Sequence, residues 1–221
     1  MCGIIGCVGR DGETLETLVH GLSKLEYRGY DSAGVALTSN GNDVDITKCA
    51  GEIDELRNAL DTHAPTGSVG VGHTRWSTHG PPTDENAHPH QDCTGDVAVV
   101  HNGIIENYQT LRDELTTSGH TFRSDTDTEV VPHLVEDALG DGLDPEDAVR
   151  RALSRIEGSY AVAVVVAGTD AIFAARHDSP LVLGLDGDTS YLASDVPAFL
   201  DFTDRVVYLA DGEFARLDSE G

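Results

Sequence analysis

Residues 1–9 read MCGIIGCVG: a methionine and a cysteine, then small and branched apolar residues with no charge until Arg10. A run this short and this apolar, bounded by Gly9, predicts a buried strand. The pattern changes directly afterwards. Thr14 is a candidate N-cap, and Leu15, Leu18, Val19, Leu22 and Leu25 recur at helical spacing. Strand-like segments at 33–38 and 44–49 flank the turn signal Asn40-Gly41, followed by a short helix at 54–60 and a strand at 69–76. A proline-rich loop covers 77–95. Residues 97–101 read as a strand and 106–115 as a helix closed by Gly119. Helices are also predicted at 128–139 and 145–156, the latter opened by Asp144 and Pro145. From Tyr160 onward strands dominate, at 161–167, 171–175, 181–185 and 191–193. After a short helix at 196–200, segments 206–209 and 213–217 read as a hairpin across Asp211-Gly212. No linker and no repeat interrupts the chain, so one α+β domain over 1–221 is expected, with two mainly antiparallel sheets covered by helices. It ends on a strand with no closing element, which predicts a domain cut from a longer protein.

The charge balance narrows the partners. Among 221 residues, 39 are acidic and 14 basic, for a formal net charge of -25. Asp outnumbers Glu by 25 to 14, and Lys24 and Lys48 are the only lysines. Such a surface repels nucleic acid and anionic membranes, so neither is an expected partner. The Asp excess and lysine scarcity resemble the proteins of salt-loving archaea and are read as adaptation to molar salt, where a Debye length of about 3 Å screens self-repulsion. The longest apolar run, at 161–167, is far short of the ~20 residues of a membrane span. No signal peptide is recognisable at the start, so a cytoplasmic location is the default expectation.

Four cysteines, Cys2, Cys7, Cys49 and Cys93, show no CxxC pairing. A disulfide framework is not expected in a cytoplasmic chain of this size. Zinc is not expected either, because no cysteine pair accompanies His88 and His90 in the proline-containing loop. Cys7, Cys49 and Cys93 read as small apolar filler. Cys2 differs by position. Removal of the initiator methionine, which aminopeptidases carry out when the next side chain is small, gives one residue bearing a thiol and a free α-amino group. With reference values of about 8.5 for the thiol and about 7.7–8.0 for the amine, the amine is able to take the thiol's proton near neutral pH.

Six blocks then occur in order: MCGIIG at the start, LEYRGYDSAG at 25–34, HTRWSTHG at 73–80, NAHPH at 86–90, HNGIIENY at 101–108 and SDTDTE at 124–129. Together they resemble the class II glutamine amidotransferases, and among these the N-terminal glutaminase domains of glutamine–fructose-6-phosphate aminotransferases (isomerising), the glucosamine-6-phosphate synthases. LEYRGYDSAG with HTRW separates this branch from relatives such as amidophosphoribosyltransferase and asparagine synthetase. The resemblance implies the four-layer α/β/β/α sandwich of the N-terminal nucleophile hydrolases, hydrolysis of L-glutamine, and no metal or organic cofactor. It also implies a C-terminal sugar-phosphate isomerase domain as partner, absent from these 221 residues, and a homo-oligomeric full-length enzyme.

Carried over by position, the resemblance makes Cys2 the nucleophile and gives the oxyanion to the Asn102 side-chain amide and the Gly103 N–H. Read alone, without the neighbouring blocks, Asn102-Gly103 is a hairpin turn. Arg75 suits the α-carboxylate of glutamine through bidentate pairing, and Asp127 suits its ammonium group; by physics alone Asp127 is one solvated aspartate among 25. Asp125 stands where the family often has Glu. Trp76 is implied to sit on a loop over glutamine with Thr78 and His79, although a lone tryptophan is more commonly a core anchor. His79 is assigned to substrate contact, since the free amine makes a Cys–His dyad unnecessary. Arg28 and Gly29 are implied supports of the nucleophile, and His88 and His90 read as structural or interdomain. The rival readings are a glutaminase domain feeding a different synthetase, an inactive assembly module, and an amidase for another amide.

Overall fold

Alternation along two central strands generates the layers. The computed structural model describes residues 2–10, 12–38, 43–77 and 80–219. In chain order the elements are β1 (Gly3–Val8), α1 (Thr14–Leu25), β2 (Ser32–Thr38), β3 (Val44–Ala50), α2 (Ile53–Leu60), β4 (Val69–Arg75), β5 (His90–Gln91), β6 (Val97–Ile105), α3 (Tyr108–Ser118), α4 (Val130–Gly140) and α5 (Pro145–Leu153). Then come β7 (Gly158–Val166), β8 (Ile172–His177), β9 (Val182–Asp186), β10 (Thr189–Ala193), β11 (Val206–Tyr208) and β12 (Phe214–Leu217). Single 3-10 turns lie at Glu26–Arg28 and Val196–Ala198.

Successive side chains on a strand point to opposite faces. In β6 and β7, Ala98, Val100, Ala161, Ala163 and Val165 therefore pack inward against Ile4, Val8, Ala36, Val69 and Val71 of the other sheet. Their neighbours Val97, Val99, Val162, Val164 and Val166 point outward, onto Leu111 and Leu115 of α3, Val131 and Leu134 of α4 and Val149 of α5. On the opposite side Leu18, Leu22 and Leu25 of α1 and Ile53 and Leu56 of α2 cover Ile5, Val35 and Leu37. The result is a four-layer α/β/β/α sandwich, the arrangement of N-terminal nucleophile hydrolases. One sheet has seven strands in the order β11-β9-β10-β1-β4-β2-β3, the other five in the order β12-β8-β7-β6-β5, and every ladder is antiparallel.

Several sequence expectations need correction. Thr14 is the first helical residue, and its hydroxyl donates to the Arg10 and Ser68 carbonyls, so it caps nothing. The cap expected of Asp144 is present, accepting from the Asp147 N–H at 2.9 Å. β6 runs four residues past 101. Segments 206–209 and 213–217 do not form a hairpin: β11 pairs with β9 in the seven-stranded sheet and β12 with β8 in the other. The Asp211-Gly212 turn bonds instead to the end of β8, with Arg176 donating to Asp211, the Asp178 N–H donating to the same carboxylate, and the Gly212 N–H donating to the Arg176 carbonyl. Cys93 is exposed and Cys49 half-buried, so only Cys7 is buried filler. The expected turn at Asn40-Gly41 lies outside the described residues.

Candidate active site

The cleft forms at the start of β1, a strand hydrogen-bonded on both edges, to β10 and to β4. Cys2 immediately precedes it, so the sheet fixes its backbone. Its Sγ lies against the backbone of Trp76, receiving that residue's N–H at 3.2 Å and facing its carbonyl at 3.5 Å. Burial pushes the Cys2 thiol up, while the Trp76 N–H and the positive charges of Arg75 and Arg28 pull it back down. The Cys2 carbonyl accepts two hydrogen bonds of 3.0 Å, from Arg28 Nε and from Asn102 Nδ2. Arg28 is held from its other end by Asp195, 3.3 Å from Nη1, and the Tyr27 hydroxyl donates to the same carboxylate oxygen at 2.6 Å. Gly29 is there because the chain approaches β4 too closely for a side chain. A Cβ at this position would lie 2.6 Å from the Arg75 carbonyl carbon and 2.8 Å from the Trp76 nitrogen.

Asn102 and Gly103 lie inside β6, opposite Ala161 and Tyr160 of β7, which rules out the hairpin-turn reading. Gly103 has φ +135°, and a Cβ on it would come within 2.0 Å of the Ser159 carbonyl oxygen. Only glycine takes up that backbone at that approach. The orientation of the Asn102 amide follows from two backbone carbonyls. His73 Nε2 is 3.1 Å from the His101 carbonyl, an obligate acceptor, so Nε2 carries the proton. The Asn102 atom that the same Nε2 meets at 3.1 Å must then be Oδ1, leaving Nδ2 to donate to the Cys2 carbonyl. His73 is buried completely, and burial drives its pKa down to about 3, so it acts as a neutral donor.

Behind it His88 stacks on His73 with ring centroids 4.2 Å apart. The Thr128 hydroxyl bridges His88 Nε2 at 3.0 Å and His101 Nδ1 at 2.9 Å. His88 and His90 are both buried within this chain, and burial keeps both well below the usual histidine range. Arg75 ends β4 with its guanidinium donating to the Gly80 and Pro81 carbonyls, each at 3.3 Å. Asp127 accepts the Ile105 N–H at 2.8 Å, and both charged side chains are nearly buried.

Cys2, Arg75, Trp76, Gly103 and Asp127 line one narrow cleft of about 20 Å³. A second depression of about 280 Å³ adjoins it at Cys2, Trp76 and Gly103 and is bordered by Arg28, Asn102 and Ile104. Two larger hollows elsewhere are lined by no cysteine. Trp76 is 45% exposed and meets Tyr30 edge-on at 5.4 Å, so it is no core anchor. Thr78 and His79 lie outside the described residues. Sequence reading passed over His73, His101, Thr128 and Asp195, which reach Cys2 only through Asn102 or Arg28. The cleft thus offers a sulfur nucleophile, amide donors beside it, and one buried cation and one buried anion, the complement of a zwitterionic amino acid bearing an amide.

Residues 73–201 match the glutamine amidotransferase domain family, and the chain belongs to that family. Two curated relatives carry the particular likeness. Over its full length the chain is 52% identical to glutamine–fructose-6-phosphate aminotransferase (isomerizing) of Thermococcus kodakarensis, and 98% of it is 56% identical to the enzyme of the same name from Halobacterium salinarum. It spans only 36% and 35% of the length of these relatives. Among solved structures, the glutamine phosphoribosylpyrophosphate amidotransferase of B. subtilis superposes with a TM-score of 0.83 at 28% identity, over all of this chain and 48% of that one. Glutamine hydrolysis with transfer of the ammonia is the general activity of such domains. No helix among the described residues is long and apolar enough to cross a membrane.

Proposed function

We propose that Cys2, made amino-terminal by loss of the methionine, hydrolyses L-glutamine through a γ-glutamyl thioester. The observation that carries the reading is the convergence of the Cys2 thiol, the Asn102 amide, Arg75 and Asp127 on adjoining cavities. The α-amine takes the thiol proton and sulfur attacks the side-chain amide carbon. Asn102 Nδ2 has two hydrogens; one is committed to the Cys2 carbonyl, and the other, with the Gly103 N–H, meets the oxyanion. The α-ammonium returns its proton to the leaving nitrogen, ammonia departs and the thioester forms. Water, deprotonated by the same amine, adds to the thioester, and collapse restores the thiol and releases glutamate. Arg75 pairs with the α-carboxylate and Asp127 with the ammonium group. Trp76, with Thr78 and His79, covers the substrate, while Arg28 and Gly29 hold the nucleophile in place.

The same reading makes residues 1–221 a single glutaminase domain of a longer, cytoplasmic, homo-oligomeric enzyme. Its ammonia converts fructose 6-phosphate to glucosamine 6-phosphate in a C-terminal isomerase domain. Support comes from the identity to the aminotransferases and from the fraction of their length that this chain spans. The test is ammonia release from L-glutamine in molar KCl by a chain of verified N-terminal mass. Release is expected from the processed wild type and is expected to fall on the order of 10⁴–10⁶-fold in Cys2→Ala. A processed wild type that releases none sinks the proposal.

A further inference from the structure

Outside the Cys2 cleft, four side chains from three segments converge: Cys93 in the loop after β5, His120 between α3 and α4, and His133 and Glu136 one turn apart on α4. One donor atom from each lies within 4.8 Å of all the others. Cys93 Sγ is 3.6 Å from His120 Nδ1 and 3.7 Å from His133 Nδ1. One Glu136 carboxylate oxygen is 3.0 Å from the first of these nitrogens and 3.2 Å from the second. Tetrahedral zinc, with Zn–S of ~2.3 Å and Zn–N and Zn–O of ~2.0–2.1 Å, requires S···N edges of about 3.6 Å and N···O edges of about 3.3 Å. The four S···N and N···O separations match those edges to within about 0.3 Å, and the remaining two pairs lie within 4.8 Å.

Protons alone serve this ring poorly. If both Nδ1 atoms carry hydrogens toward Glu136, neither accepts the hydrogen of the Cys93 thiol; a single cation at the centre serves all four lone pairs. The surroundings follow the pattern by which proteins orient metal ligands. His120 turns its Nε2 to Asp137 at 2.9 Å, and His133 turns its Nε2 toward Glu129 at 3.9 Å. The Thr121 N–H points at the Cys93 sulfur at 3.4 Å, and the Cys93 N–H donates to Glu136 at 3.1 Å. Cys93 is exposed, giving an ion a route in, while His133 is buried.

We propose that Cys93, His120, His133 and Glu136 bind a structural zinc ion. One thiolate, two imidazoles and one carboxylate form a closed four-ligand set suited to Zn²⁺ and poorly suited to Mg²⁺ or Ca²⁺, which take oxygen ligands. The ion ties the loop after β5 to α4. Glu129, beside His133, also accepts the backbone N–H groups of Arg123 and Ser124, so the brace extends to the segment that carries Asp127. Sequence reading did not weigh this set, because its residues are dispersed over 44 positions without a paired-cysteine spacing.

The experiment is titration of the chelator-stripped chain with Co²⁺ and Zn²⁺ in molar KCl, which suppresses weak uptake by the 39 carboxylates. One equivalent of cobalt is expected to give a thiolate-to-cobalt charge-transfer band with the intense visible bands of tetrahedral coordination, and zinc is expected to displace it. Zinc at 100 times its Kd is expected to raise Tm by about 5–10 °C. Cys93→Ser is expected to lose the charge-transfer band, and Asp137→Asn to weaken binding by ~10–100-fold. A cobalt spectrum without the thiolate band in the wild type, or a Tm indifferent to zinc, overturns the site even if Cys93→Ser does not fold. Equal uptake by a folded Cys93→Ser overturns it as well.

Discussion

Around Cys2 the sulfur receives the Trp76 N–H at 3.2 Å and faces one neutral acceptor, the Trp76 carbonyl at 3.5 Å, under the positive charges of Arg75 and Arg28. Around Cys93 two imidazole nitrogens and a carboxylate converge instead, with the Thr121 N–H as the lone backbone donor. A thiolate surrounded by donors is left with lone pairs free to attack carbon, whereas a thiolate among other lone pairs is completed by a cation. Residue type therefore decides little here. Cys2 and Cys93 differ in what the fold aims at them, and their proposed tasks, nucleophile and ligand, follow from that.

The sharpest test of this contrast is a double dissociation. Cys2→Ala is expected to abolish ammonia release while keeping the cobalt charge-transfer band, and Cys93→Ser to lose the band while retaining turnover. Loss of both properties in either variant would break the comparison. A smaller effect is expected at the donors. Asn102→Ala removes one oxyanion partner and is expected to lower kcat by ~10²–10³-fold with little change in KM. An unchanged kcat would leave the Gly103 N–H as the sole donor. Asp127→Asn is expected to raise KM for glutamine by roughly 10–100-fold, since a hydrogen bond to a charged group contributes ~1.5–3 kcal/mol. A kcat defect without a KM change would move Asp127 out of substrate binding.

The floor beneath Cys2 also imposes a pH dependence on stability. Burial depresses the folded-state pKa of His73, His88 and His90 below the ordinary 6.5. The unfolded chain therefore binds protons below about pH 6.5 that the folded chain refuses, and stability is lost as pH falls through that range. For His73, with a folded pKa of about 3, the loss reaches about 2 kcal/mol at pH 5, and His88 and His90 act in the same direction. Melting curves between pH 8 and pH 5 are expected to show this decline, and His88→Gln to make it shallower. A Tm constant down to pH 5 would show that these histidines titrate normally.

The layers were readable because their cause is local. Alternation in 161–167 and helical spacing in 14–25 each record a single face, and both survive in the fold. The misread hairpin at Asp211-Gly212 shows where local signals stop. A turn dipeptide says that the chain reverses; it does not say that the flanking strands share a sheet, and here Arg176, 35 positions away, claims the turn. At the cleft, the motif blocks led to Cys2, Arg75, Asn102, Gly103 and Asp127. Asp195 acts on the site only across 167 positions, through Arg28. His73 looks like an ordinary strand residue until Asn102 lies beside it. Such partners become visible only when the strands are in register.

That register also has a consequence for synthesis. β1 is made first, yet one of its two partners, β10, pairs Ala193 with Ile5. At ~5–20 residues per second, roughly 10–40 s separate the emergence of the two strands from the ribosome. Throughout that interval the seven-stranded sheet lacks β10 beside β1, and the amino end is not yet enclosed by the finished molecule. On the proposal that methionine is trimmed, the topology leaves the trimming enzyme a window before folding is complete. A circular permutant that places β10 ahead of β1 would close that window and bury Cys2 inside a continuous chain.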